Sequence, residues 1–166
     1  MGLFDKLFGG KAEKIDPNHI FAPLEGEVVS ITEVPDPTFA EGLLGNGVAI
    51  KPTSGNVYAP FNGTVDTVFD TLHAITLVSE SGIELLIHVG LETVGLNGAP
   101  FTAKVKSGDK VKKGQLMLVA DLKAIEAAGL PTITPVLVCN TDDYTTFNTT
   151  IGKAVSNADV VIELGK

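Results

Sequence analysis

One apolar run decides how this chain folds: Ile83-Glu84-Leu85-Leu86-Ile87-His88-Val89. Its length and composition predict a β-strand, in which successive side chains point to opposite faces. Leu85, Ile87 and Val89 share one purely apolar face, which we assign to the core. His88 then lies on the other face, lining an outer surface or a groove. Gly90, two residues later, removes a side chain beside His88 and so predicts that a partner can reach the imidazole.

A second histidine precedes this strand by fifteen residues. The segment from His73 to Ser79 reads as another strand, and Glu80-Ser81-Gly82 reads as the turn between the two. A hairpin centred near Ser81 places His73 almost opposite His88, at the Cβ separation of about 4.5–5.5 Å that is typical of cross-strand pairs. Thr71 shares the face of His73 by the same alternation. The sequence therefore predicts a pair of histidines with a hydroxyl group beside one of them.

The rest of the chain also reads as short strands joined by turns. The motif Phe21-Ala22-Pro23-Leu24-Glu25-Gly26-Glu27-Val28 returns as Tyr58-Ala59-Pro60-Phe61-Asn62-Gly63-Thr64-Val65. A tight hairpin is expected over 105–111, around Gly108-Asp109. Helical patterns are confined to 121–128, where Asp121 is a capping residue, and to one turn within 38–44. We predict an all-β fold, an antiparallel β-sandwich or flattened barrel with pseudo-repeated strand motifs and one or two short helices.

Length and composition exclude several classes of protein. The 166 residues suit one domain, which we place at 19–166. A net charge of −8 without a basic run argues against nucleic-acid binding. Cys139 is the only cysteine, which excludes an internal disulfide and predicts a buried core thiol in a reducing compartment, the cytoplasm. No apolar segment is long enough to span a bilayer.

Residues 1–18 read as a flexible tail and linker before the domain. Its first eight residues place their apolar side chains at helical spacing: Leu3, Phe4, Leu7 and Phe8. Two interpretations stay open, a weak amphipathic contact with a membrane surface and a frayed end. The Met start and the absence of a spanning segment favour a free-standing protein over one part of a permease.

The paired histidines admit several kinds of chemistry. They could be purely structural, or they could bind a metal with Glu92 as a third ligand, although a structural zinc ion takes four ligands. A serine hydrolase is disfavoured because no G-x-S-x-G is present, and no G-x-x-x-x-G-K-[ST] nucleotide loop occurs either. A phosphoryl relay is a further possibility, in which one neutral imidazole accepts the group from another protein and the second stabilises the transferred charge.

The segment 82–94, Gly-Ile-Glu-Leu-Leu-Ile-His-Val-Gly-Leu-Glu-Thr-Val, resembles the phosphorylation-site motif of the glucose-type enzyme IIA family. Every defined position of that motif is met: Gly, two residues, three apolar residues, His, apolar, Gly, apolar, any residue, Thr, Val. The likeness extends from about residue 20 to 164 and includes Val34-Pro35-Asp36-Pro37, Thr71-x-His73-Ala74 and Thr134-Pro135-Val136.

The resemblance implies a phosphotransferase with a phosphohistidine intermediate. His88 would accept a phosphoryl group on Nε2 from the carrier protein HPr and pass it to a cysteine of the IIB domain of a glucose-type sugar permease. His73 would steady the phosphoryl group, and Thr71 would fix the tautomer of His73. No cofactor is required, and zinc could bridge His73 and His88 in a partner complex. The implied fold is an antiparallel β-sandwich, in agreement with the residue patterns.

The family also docks its partners through an apolar surface around the two histidines, and some free members regulate other proteins by binding them. The candidates for this surface are Phe39, Leu43, Leu44, Phe69, Ile75, Leu86, Glu92 and Val94. Strand alternation places Ile75 on the face of His73 and Leu86 on the face of His88, so both are expected to be accessible. Acidic residues at 36, 41 and 92 would suit a basic-rimmed partner. We expect the protein to act as a monomer.

Overall fold

A computed structural model describes residues 16–166, in which fourteen β-strands and two short α-helices follow one another. The strands are β1 His19–Phe21, β2 Gly26–Ser30, β3 Asn46–Pro52, β4 Asn56–Tyr58, β5 Gly63–Val68, β6 Ala74–Ser79, β7 Glu84–His88, β8 Phe101–Ala103, β9 Lys110–Val111, β10 Leu116–Ala120, β11 Thr134–Val138, β12 Thr146–Thr149, β13 Lys153–Val155 and β14 Val160–Gly165. The helices are α1 Pro37–Ala40 and α2 Leu122–Ala127, with 3₁₀ turns at Ile31–Glu33, Thr93–Leu96 and Thr141–Asp143.

All strand pairs are antiparallel, and they form one large and two small sheets. The large sheet has the order β13-β2-β3-β11-β7-β6-β5-β9, and the small sheets have the orders β1-β14-β12 and β4-β10-β8. A main core of apolar side chains fills the space enclosed by the sheets, with Ile20, Ile50, Ile87 and Met117 among its fully buried members. The predicted all-β sandwich is therefore confirmed.

The repeated motif marks a pseudo-two-fold relation between the halves of this sandwich. The amide of Phe21 donates to the carbonyl of Pro60 at 3.0 Å, and the amide of Tyr58 donates to the carbonyl of Pro23 at 2.7 Å. These bonds are reciprocal, because Phe21 and Pro23 stand in one copy of the motif where Tyr58 and Pro60 stand in the other. The two copies thus pair with each other across the molecule.

The same relation extends to all fourteen strands. Strands β4 to β10 form one contiguous set of seven, and β1–β3 together with β11–β14 form the other, so that the first set is inserted into the second. Each small sheet belongs to one set, and the large sheet has four strands from each. The sets meet where β7 pairs with β11, and Ile87 lies opposite Val136 there.

Both helical segments predicted from local sequence patterns are present in the structure. The α2 helix begins after Asp121, whose carboxylate accepts from the Ala124 amide at 3.1 Å, and it ends before Gly129, which has a φ of +80°. The α1 helix overlaps the turn predicted within 38–44 but begins one residue earlier, and it is capped by Asp36, which accepts from the Thr38 amide at 3.0 Å.

Two local predictions were wrong. The segment 105–111 contains a turn, but it is not a hairpin, because β8 pairs with β10 and β9 pairs with β5. The chain therefore crosses from a small sheet to the large one within that turn. Cys139 is exposed rather than buried, since β11 ends at Val138 and the alternation that would have buried the thiol ends with it.

The predicted amphipathic tail lies outside the described residues, except for its last three positions. There the carbonyl of Pro17 accepts from the Ser81 hydroxyl at 2.9 Å, which holds residues 16–18 against the β6–β7 turn. Between residues 16 and 166, none of the helices has the length and apolar character needed to cross a bilayer.

Candidate functional site

His88 ends strand β7 with its ring partly exposed. Its Nδ1 atom lies 2.8 Å from the carbonyl oxygen of Gly90. A carbonyl oxygen only accepts hydrogen bonds, so Nδ1 must carry the proton. The lone pair of the neutral ring is then on Nε2, which is the atom available as a nucleophile.

His73 lies immediately before strand β6 and is only 4% exposed. Its Nδ1 atom is 2.6 Å from the hydroxyl oxygen of Thr71. Leu72, between them, has a φ of +59°, so the chain turns sharply here and brings the hydroxyl back onto the imidazole.

The two imidazoles contact each other edge to face, with ring centroids 4.8 Å apart and an interplanar angle of 82°. The predicted proximity is confirmed, and the register agrees with a hairpin centred on Ser81. Ala74 pairs with His88 across the strands, and the Val89 amide donates to the His73 carbonyl at 2.8 Å. His73 reaches His88 diagonally because it stands outside the regular strand.

Two phenylalanines flank the pair. The ring of Phe39, from α1, lies 4.9 Å from that of His88, and the ring of Phe69 lies 5.5 Å from that of His73. Phe39 is buried at 5% exposure, whereas Phe69 is 39% exposed. The site is thus a row of four rings, with a buried phenylalanine at the His88 end and an exposed one at the His73 end.

Burial keeps both histidines neutral. Desolvation, reinforced by the neighbouring His88, lowers the pKa of His73 to about 4. Desolvation also lowers the pKa of His88, and the Gly90 hydrogen bond and the carboxylates of Asp36 and Glu92 oppose that shift in part. Near neutral pH the site therefore presents two uncharged imidazoles, the form in which a histidine can act as a nucleophile.

The predicted partner-binding residues divide into two groups. Five are exposed: Leu43, Leu44, Phe69, Glu92 and Val94. Four of these five side chains are apolar. Together with Ile151, they are the exposed large hydrophobic side chains of residues 16–166. The four lie on segments next to the two histidines or to the rings that flank them.

The other three are buried, which corrects the prediction for Ile75 and Leu86. Ile75 is 1% exposed and belongs to the main core, on the opposite side of the sheet from His88. The regular strand begins only at Ala74, which pairs with His88 and shares its face, so the alternation does not extend back to His73 and Ile75 faces the core opposite Ile87. Leu86 does lie on that face, but it is 8% exposed and packs in a separate outer cluster that also contains Phe39.

The described residues do not fit an intrinsic metal centre. No group of three or more His, Cys, Asp or Glu side chains within residues 16–166 is arranged to hold a metal ion. Glu92, the third ligand of the metal hypothesis, therefore does not complete a site with the two histidines. A zinc ion there would need its remaining ligands from another molecule.

The role of Gly90 differs from the one inferred from the sequence. The sequence indicated an open space beside His88, but a Cβ atom at Gly90 would lie 2.7 Å from Thr93 Cγ2 and 2.9 Å from the Pro131 carbonyl oxygen. The residue is a glycine because this turn has a φ of +75° and no room for a side chain. Its carbonyl, not its missing side chain, acts on His88. The spacing His88-x-Gly90 was the one sequence signal that places this carbonyl near the imidazole.

Fold and site together define an antiparallel β-sandwich that presents two neutral, contacting imidazoles at the end of one hairpin. A family model described as phosphoenolpyruvate-dependent sugar phosphotransferase system, EIIA 1, matches residues 18–144. The chain belongs to this family, and it is a phosphocarrier component of that system.

Relatives agree with this assignment. The glucose-specific EIIA component of Haemophilus influenzae is 38% identical over 166 residues, covering 100% of both chains. The β-glucoside-specific EIIBCA component of Dickeya chrysanthemi is 51% identical over 125 residues, which are 75% of this chain and 20% of that protein. The solved structure of glucose permease IIA from Mycoplasma capricolum superposes with a TM-score of 0.80 at 33% identity, covering 87% of this chain and 93% of the other.

Proposed function

We propose that His88 is the phosphoryl acceptor and that its Nε2 atom carries the group. The hydrogen bond from Nδ1 to the Gly90 carbonyl is the observation that supports this most directly, because it leaves the Nε2 lone pair free. That lone pair attacks the phosphorus of phospho-HPr. A bond from Nε2 to phosphorus forms as the bond between phosphorus and the donor imidazole breaks.

The acceptor in the second step is a cysteine thiolate of a IIB domain. The thiolate attacks phosphorus, a sulfur–phosphorus bond forms, and Nε2 recovers its lone pair. A relative in which EIIA is joined to IIB and IIC in one protein, the EIIBCA component of Dickeya chrysanthemi, supports IIB as the acceptor. A thiolate can take the phosphoryl group from His88 because the imidazole of a phosphohistidine is a good leaving group.

His73 would stabilise the transferred phosphoryl group, and Thr71 would orient His73. If the Thr71 hydroxyl donates to Nδ1 of His73 across their 2.6 Å contact, the proton of that imidazole resides on Nε2. A neutral ring with this tautomer donates a hydrogen bond to a phosphoryl oxygen without adding a full charge to the resting site. The edge-to-face contact with His88 places the two rings within reach of one small group.

Partners would dock on an apolar surface made by Leu43, Leu44, Phe69 and Val94, with Phe39 and Leu86 packed beneath it. Their exposure, 69%, 43%, 39% and 49% respectively, supports this use, because large apolar side chains grouped at a surface mark interaction sites. Carboxylates at Asp36 and Glu92 would favour a basic rim on HPr and IIB.

The remaining expectations follow from this role. The folded domain would be 19–166, acting as a monomer in the cytoplasm where HPr and the IIB domain are met. Regulatory proteins could compete for the same apolar surface. Zinc would bind His73 and His88 only where a partner supplies further ligands, because residues 16–166 contain no group of three or more possible ligands.

The decisive experiment is phosphorylation with the general relay enzyme, HPr and phosphoenolpyruvate. We expect an acid-labile mass gain of one phosphoryl group on the wild type and none on His88→Ala. His19→Gln is the matched control, since His19 lies on β1 and contacts the partly exposed carboxylates of Asp16 and Glu163. Absence of a gain on the wild type, or an undiminished gain on His88→Ala, would refute the proposal.

His73 and the docking surface need separate tests. His73→Gln should still accept phosphate on His88 but pass it to IIB slowly, and a wild-type rate of sugar phosphorylation would contradict its role. Val94→Asp should slow transfer from phospho-HPr without loss of stability. Ile151→Asp, at a similarly exposed apolar residue of 48%, should not. Equal effects of the two aspartates would show that the surface is not the docking site.

A further inference from the structure

The turn that follows His88 is held by three hydrogen bonds, two at Val89 and one at Leu91. The Val89 amide donates to the carbonyl of His73 at 2.8 Å, and the Val89 carbonyl accepts from the Thr93 hydroxyl at 2.5 Å. The Leu91 amide donates to the carbonyl of Pro131 at 3.1 Å. The backbone on both sides of Gly90 is therefore fixed, by His73 and Thr93 before it and by Pro131 after it.

Gly90 itself lies in a narrow space between these two supports. The Thr93 methyl group and the Pro131 carbonyl oxygen lie within 3 Å of where a Cβ atom would stand. The Gly90 peptide cannot rotate freely between them, so the direction of its carbonyl is set by packing as well as by hydrogen bonds. That carbonyl is the acceptor for Nδ1 of His88.

Thr93 contributes with both ends of its side chain while remaining fully buried, at 0% exposure. Its hydroxyl holds the Val89 carbonyl and its methyl group faces Gly90, yet its hydroxyl has no hydrogen bond to either imidazole. A valine would fill the same volume, so packing alone does not call for a hydroxyl group here. A valine would also leave the buried Val89 carbonyl without this partner.

We propose that Thr93 is a positioning residue, which together with the Pro131 carbonyl fixes the Gly90 carbonyl and so holds His88 as the tautomer protonated on Nδ1. The inference rests on the proposed role of His88 as phosphoryl acceptor. Its consequence is that the lone pair on Nε2 is prepared before the donor arrives. A ring that exchanged freely between tautomers would spend part of its time with a proton on the attacking atom.

The test compares Thr93→Val, which loses the hydroxyl, with Thr93→Ser, which keeps it. The tautomer of His88 is read from the ¹⁵N shifts of the unphosphorylated protein at neutral pH, and the rate of transfer from phospho-HPr is measured in parallel. We expect Thr93→Val to show mixed tautomers and about tenfold slower transfer, and Thr93→Ser to keep the Nδ1–H tautomer with a rate within about threefold of wild type. Thr93→Ala replaces Thr93→Val in the comparison with Thr93→Ser if the valine variant does not fold.

Ser79→Ala is the matched control. Ser79 is 8% exposed, and its hydroxyl accepts from the Ile83 amide at the other end of the same hairpin. We expect this variant to lose stability but to keep the wild-type tautomer and rate.

The outcomes are distinct. A wild-type tautomer and rate in both Thr93→Val and Thr93→Ala, or the same changes in Ser79→Ala, would overturn the inference. A wild type that takes no phosphate on His88 would instead overturn the proposed function, whatever the tautomer.

Discussion

Replacing Gly90 by alanine should destabilise this protein far more than the same replacement at Gly82, although both glycines are in the left-handed region. Gly90 has a φ of +75° and Gly82 a φ of +97°. An alanine in this region costs about 1 kcal/mol of backbone strain at either position. At Gly82 nothing lies within 4 Å of the new Cβ, so strain is the whole cost.

At Gly90 a steric term is added. The new methyl group would stand 2.7 Å from Thr93 Cγ2 and 2.9 Å from the Pro131 carbonyl oxygen, and the second contact is with backbone, which cannot rotate away. Overpacking of this kind costs about 1–3 kcal/mol. We therefore expect about 3 kcal/mol for Gly90→Ala and about 1 kcal/mol for Gly82→Ala.

Urea unfolding followed by far-ultraviolet circular dichroism measures both values, since the chain has no tryptophan to report by fluorescence. The double variant Gly90→Ala/Thr93→Ser removes one of the two close contacts, so its loss should be smaller than the sum of the two single losses. If Gly90→Ala were no more destabilising than Gly82→Ala, the close contacts of Gly90 with Thr93 and Pro131 would be refuted.

Three further predictions concern stability and exposure. Because the pKa of His73 falls from 6.5 in the unfolded chain to about 4 in the fold, only the unfolded chain takes up this proton as the pH falls from 6.5 towards 4. The stability advantage of wild type over His73→Gln should therefore shrink by about 3 kcal/mol across that window and stay constant above pH 7, and a constant difference throughout would contradict the shift. Ile75→Ala should lower the free energy of unfolding by about 2–5 kcal/mol in urea, because Ile75 is buried. Phe69→Ala should cost much less stability and should slow transfer from phospho-HPr. If Phe69→Ala were instead the more destabilising change, Ile75 would be the accessible residue that the sequence predicted. Cys139 should react with a thiol reagent in the native protein, but slowly, because desolvation and the Glu84 carboxylate raise its pKa; a reaction seen only in denaturant would place it in the core.

The sequence predicted those features that depend on local periodicity. Alternation along β7 placed Leu85, Ile87 and Val89 in the core and turned His88 outward, as the structure shows. A hairpin needs only its turn to fix its register, so His73 could be placed near His88. The repeated motif could be recognised in the sequence because both copies make the same reciprocal contacts and so need the same residue types.

Features set by the point at which a strand starts or by distant pairing were not predicted. Nothing in the residue types indicates that the regular strand begins only at Ala74, and this start placed Ile75 in the core instead of on the face of His73. The pairing of β9 with β5 joins segments more than forty residues apart, so the local turn chemistry gave no sign of it. A backbone carbonyl such as that of Gly90 leaves no signal of its own in a sequence.

The nesting of one set of seven strands inside the other has a consequence for the order in which the molecule assembles. Strands β4 to β10 are contiguous from residue 56 to residue 120, so all their contacts with one another form within that stretch. The enclosing set must join β3, which ends at Pro52, to β11, which begins at Thr134, and the entropy lost in closing that long loop is smaller once the intervening residues are already compact. Both His73 and His88 belong to the inserted set, whereas Phe39 and Asp36 come from the enclosing one. The two imidazoles would then meet early in folding, and the pocket that desolvates His88 would be completed only when the outer strands close around them.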